Sequence, residues 1–121
     1  MPTLNNTQIN EDQIIEDLGY LSSLLICLAS NHGLNRLSDE KVTGILTVCL
    51  SAAKQAQATL YNLHATSLMG LDSEIDLLDG IYFTLEELKN LNLVKKYTTH
   101  CLFGLFNTVE KLAEMLSDKV A

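Results

Sequence analysis

The amino-acid sequence points to an all-α, up-down bundle of three long helices with room for a short fourth, and three features say so. The only proline is Pro2, so the strongest breaker of regular structure is absent from everything that follows. Apolar residues recur at three- and four-residue steps over long stretches, the period of a one-sided helix. Nowhere do they alternate strictly, as a half-buried strand would require. With 121 residues, 47% of them hydrophobic and 19% charged, the chain has the size and the apolar content of one folded domain. That domain is expected over residues 10–121, behind a flexible leader at 1–9.

Helix A is expected to start at Asn10, a good N-cap, with Glu11 and Asp12 in the first turn and Gln13 as capping-box partner. Its inward stripe reads Ile14, Leu18, Leu21, Leu25 and Leu28, and Asn31, His32 and Gly33 supply the stop near Ser30. Ser38 followed by Asp39 and Glu40 opens helix B, which runs to about Thr66. Its stripe of Val42, Ile45, Cys49, Ala52, Ala53, Ala56, Leu60 and Leu63 is lined in the middle by small side chains, where a neighbour can approach closely.

Between Ser67 and Phe83 the periodicity weakens and Asp72, Glu74, Asp76 and Asp79 fall with no positive residue among them, which reads as a long acidic connection. Thr84 with Glu87 makes a second capping box. Leu88, Leu91, Val94, Cys101, Leu102, Leu105, Val109, Leu112 and Leu116 then carry helix C to Ser117. A continuous rod and one broken near Asn90 to Asn92 fit that pattern equally.

From Leu18 to Ala29 only Gly19, Ser22 and Ser23 relieve an apolar circumference, and a helix apolar all round is buried all round. Three helices cover each member on two sides only. A homodimer is therefore expected, with Phe103, opposite the helix C stripe, and neighbouring Phe106 as its anchor.

Fifteen acidic residues against eight basic ones give a formal charge of −7, which repels phosphate backbones and anionic lipid headgroups. Only Lys95 and Lys96 stand adjacent, so direct nucleic-acid binding and membrane binding are disfavoured. Cys27, Cys49 and Cys101 are odd in number and set among apolar residues, where cysteine behaves as a small buried hydrophobe. A reducing, cytoplasmic setting is expected. The polar start lacks a signal peptide's apolar centre, and no apolar run nears the roughly 18–20 residues of a membrane span.

The chemistry-bearing spacings all fall short. Asp72-x-Glu74-x-Asp76 resembles the start of a calcium loop, but Leu77 stands where the turn needs glycine and Phe83 where a bidentate glutamate belongs. Ser38 to Lys41 and Ser51 to Lys54 lack the companion elements of a Ser-Lys nucleophile. His32, His64 and His100 have no ligand spacing, and Glu11, Glu16, Asp17, Glu86 and Glu87 read as helix-start and surface carboxylates. No phosphate-cradling glycine loop occurs. No enzyme, cofactor or metal site is expected.

What remains is a non-enzymatic interaction module. An acidic homodimer would meet a partner with a basic surface through Asp72, Glu74, Asp76, Asp79, Phe103 and Phe106, as an adaptor or as an inhibitor of a nucleic-acid-binding protein. The alternative is a small-ligand sensor with its pocket between helices, beside the Ala-lined middle of helix B.

Overall fold

The computed structural model describes residues 6–30, 33–91 and 95–120. Four α-helices and one 3₁₀ turn make up the described chain: α1 (Asn6–Ala29), the turn Gly33–Arg36, α2 (Asp39–Thr66), α3 (Asp72–Asn90) and α4 (Lys95–Val120). Each helix packs on its neighbours in chain order, and α4 closes the ring against α1. Short connections make successive helices antiparallel. The all-α bundle is as expected, and no strand occurs among the described residues.

The fourth helix is the principal departure. The segment read as an acidic connection is most of α3, a helix of 19 residues. Leu71, Glu74, Leu78, Ile81, Leu85 and Leu88 form its buried face at steps of three and four. A glutamate occupies one position of that stripe, and this conceals the period. No side chain caps the start at Leu71, although Asp72 and Glu74 in the first turn suit the helix dipole. Thr84, expected as a cap, lies inside α3 and donates its hydroxyl to the Gly80 carbonyl at 2.8 Å.

Helix C is thus two helices, parting between Asn90 and Lys95. Asn92 and Val94 lie outside the described residues, as do Asn31 and His32. Leu91 and Cys101, placed on the helix C stripe, are exposed: Leu91 is the C-cap beyond α3, and Cys101 lies at the edge of the buried face of α4. Leu102, Leu105, Val109, Leu112 and Leu116 are buried as expected.

Helix α1 begins at Asn6, ahead of the expected cap at Asn10, so residues 6–9 belong to the helix rather than to the leader. Ile14, Leu18, Leu21 and Leu25 are fully buried, while Leu24, Ile26 and Leu28 are half-buried and Tyr20 and Cys27 face solvent. The helix is therefore not buried all round: it packs on α2 and α4, and the rest of its circumference is half-buried or faces solvent. On α2, Ser38 caps as expected, accepting from the Lys41 N–H at 3.2 Å. Leu46 replaces Ile45 on its buried face, and Thr59 joins it.

Lysines pin both ends of α4. Lys95 Nζ donates to the Leu37 carbonyl at the entry to α2. Lys119 Nζ donates to the Gly70 carbonyl at 2.5 Å and reaches Glu74 at 3.0 Å (Oε1) and 2.8 Å (Oε2). Of the three free thiols only Cys49 is buried, and burial pushes it up to about 11 from an ordinary 9.0. Cys27 and Cys101 are exposed, contrary to expectation.

Candidate functional site

On a helix of about 3.6 residues per turn, positions 72, 76 and 79 fall within about 60° of one another, while 74 points nearly the opposite way. The acidic segment is divided accordingly. Asp72 and Asp76 are exposed, Asp79 is half-buried, and Glu74, at 1% exposure, faces the core. Glu74 is therefore not part of any acidic surface; it belongs to the pair with Lys119.

The exposed carboxylates run along the seam with α2, which answers them with polar groups at matching helical spacing. Asp79 Oδ1 accepts from Tyr61 Oη at 2.6 Å and from Gln57 Nε2 at 2.9 Å. His64 Nε2 stands 3.8 Å from Asp72 Oδ1. The bond to Asp79, with some desolvation and the charges of Asp79 and Asp76, raises the Tyr61 phenol above its ordinary 10.0. Among the described residues no lysine or arginine pairs with Asp72, Asp76 or Asp79.

Phe103 is 50% exposed and Phe106 is half-buried against the core, their ring centroids 6.3 Å apart. The two lie on α4, and the acidic strip lies on α3 toward α2. The six residues singled out in the sequence thus fall into three places: a carboxylate strip, an aromatic pair and one interior ion pair.

A second region lies between α1 and α2, beside the small residues of α2 where the sequence suggests a pocket, although its lining residues are not legible there. Asp17, Tyr20, Val48, Ser51, Ala52 and Gln55 line an open groove of about 330 Å³. It sits where small residues of α2 leave room, beside the Ala-lined middle of that helix. Asp17 is not the surface carboxylate expected: it is 9% exposed, accepting from Thr59 Oγ1 at 2.7 Å on Oδ2 and from Gln13 Nε2 at 2.7 Å on Oδ1. Spacing held the clue, since Asp17 stands three residues after Ile14 and four before Leu21 on the inward stripe.

His64 and Asp72 do not form a catalytic arrangement: Asp72 is 91% exposed, and Nδ1 of His64 is buried without a hydrogen-bond partner among the described residues. Among the described residues no three His, Cys, Asp or Glu side chains gather around a common metal position, and no helix is long and apolar enough to cross a membrane. Comparison with known proteins finds no matching family model, no similar curated protein and no similar solved structure.

Proposed function

We propose that this protein is a non-enzymatic, acidic interaction module that binds a partner with a basic surface, as an adaptor or as an inhibitor of a nucleic-acid-binding protein. The observation that carries the reading is the alignment of Asp72, Asp76 and Asp79 on one strip of α3, without internal lysine or arginine partners among the described residues, in a chain of net charge −7. A strip of one sign raises the encounter rate with an oppositely charged surface and disfavours anionic partners. Two exposed free thiols are in keeping with a reducing, cytoplasmic setting. Phe103, half in water beside Phe106, is the natural anchor for a homodimer.

The test is capture from the native host on the immobilised protein and on Asp72→Asn/Asp76→Asn/Asp79→Asn. Glu74 is left intact to keep its pair with Lys119. A basic protein held by the parent, released by salt and lost from the triple variant supports the reading; retention that ignores both salt and the substitutions refutes it. Light scattering across concentrations, with Phe103→Ala shifting the mass toward one chain, tests the dimer.

A second reading is favoured by the α1–α2 groove: a helical sensor that holds a small ligand between its helices. Its volume of about 330 Å³ falls at the small end of ligand pockets, which run from about 300 to about 1,000 Å³.

A further inference from the structure

Two carboxylates are withdrawn into this bundle, and only one is given a cation. Glu74 has Lys119 on both oxygens. Asp17 has two neutral donors, Thr59 and Gln13, and among the described residues no Lys, Arg or His stands within ion-pair distance of it. Burying an ionic group is costly unless it is paired, and hydrogen bonds from neutral donors leave its charge uncompensated. A carboxylate offers about four lone-pair sites, of which these donors use two.

Asp17 is one of the residues that line the groove, and the other walls suit a particular kind of guest. Tyr20, 56% exposed, is among the lining residues and brings an aromatic ring, a side chain that attracts cations. Val48 and Ala52 provide an apolar strip for methylene groups, and Gln55 adds a neutral polar contact. No lysine or arginine lines the groove to receive an anion.

We propose that the α1–α2 groove binds an alkylguanidinium or alkylammonium group, with its charge toward Asp17 and its hydrocarbon part between Tyr20 and Val48. The inference rests on the second reading, that this groove is a ligand site, and adds the sign and shape of the ligand. The cation has two sources, an arginine or lysine side chain of a partner polypeptide or a free organic amine, and the same charge recognition serves either.

The test is calorimetric titration of the full chain at low salt with three probes: Nα-acetyl-arginine amide, agmatine, and the neutral Nα-acetyl-citrulline amide. At least one cationic probe is expected to bind about tenfold or more tightly than the citrulline amide, the difference a charged hydrogen bond makes. Preference for the capped arginine identifies a polypeptide side chain, and preference for agmatine a free amine. Asp17→Asn is expected to bring the cation down to the citrulline level. Should that variant fail to fold, Tyr20→Ala, at a half-exposed position, is expected to weaken the cation severalfold and leave the neutral probe unchanged. Equal binding of the cationic and neutral probes would overturn the charge inference while keeping the groove as a ligand site. Failure of all three to bind overturns both, and cation binding indifferent to Asp17→Asn and Tyr20→Ala places it elsewhere and overturns the proposal.

Discussion

Glu74 and Asp17 occupy the inward faces of helices across the ring from each other, and the bundle treats them in opposite ways. Glu74, on α3, meets Lys119 from the far end of α4, and that lysine also holds the Gly70 carbonyl. The pair joins the start of one helix to the end of another. Asp17, on α1, meets only a hydroxyl and an amide and opens onto a groove. Cys49 is a third buried ionisable group, and burial keeps it in its neutral form. Low polarity has three answers here: an internal cation, neutral donors with an open side, and a retained proton. Only the open side leaves a charge for a visitor.

Removing the internal cation is expected to have the largest effect. Lys119→Met strands Glu74 and should lower the unfolding free energy by about 2 to 3 kcal/mol in urea titrations, less than a fully enclosed pair would lose because Lys119 is 40% exposed. Adding Glu74→Gln should recover most of that loss, as a double-mutant cycle would read. A loss under about 0.5 kcal/mol would mean that Glu74 is satisfied without its lysine.

Cys49 gives the next effect, with a defined direction. Its thiol ionises near 9.0 when unfolded and near 11 when folded, so the unfolded chain gives up the proton first. The stabilisation is complete below pH 9.0 and is lost as pH rises toward 11. Over that window it should amount to about 1 to 2 kcal/mol, allowing for partial solvation. Cys49→Ala should flatten the alkaline fall, and thiol titration of the folded protein near neutral pH should find Cys27 and Cys101 reacting well before Cys49.

Asp17→Asn should change stability by about 1 kcal/mol or less, since no ion pair is lost and the amide oxygen can still accept from one of the two donors. A loss as large as that of Lys119→Met would erase the contrast between the two carboxylates. The smallest change belongs to Tyr61→Phe, which removes a partly solvated bond to Asp79 and should cost about 0.5 kcal/mol. In the parent the phenol should titrate above its ordinary range by near-ultraviolet absorbance, and Asp79→Asn should bring it down.

How far these regions could be read in advance follows from the range of the interactions that make them. The cap at Ser38 is made three residues away at Lys41, and the exposure of Phe103 follows from helical phase, so both were visible in the sequence. The α1 stripe was visible for the same reason. Helix α3 was not, because Glu74 interrupts its apolar period and is made acceptable by a lysine 45 residues away. Asp17 was misread likewise: its hydroxyl donor, Thr59, lies 42 residues along the chain. A charge on an inward stripe looks like a break in the stripe until its distant partner is known. The strip of Asp72, Asp76 and Asp79 could be seen as acidic but not as aligned, since alignment needed the helix.

The most direct test of the whole account is a residue-by-residue nuclear magnetic resonance map of the protein titrated with a pentalysine peptide at low salt. The aligned strip and the buried carboxylate that lacks a cation should attract it: shifts should gather around Asp72, Asp76 and Asp79 along the α2–α3 seam and in the groove around Asp17 and Tyr20, vanish with added salt, and spare the Glu74 and Lys119 side chains. Shifts spread evenly over every exposed acidic side chain, or centred on the Glu74 and Lys119 pair, would contradict it.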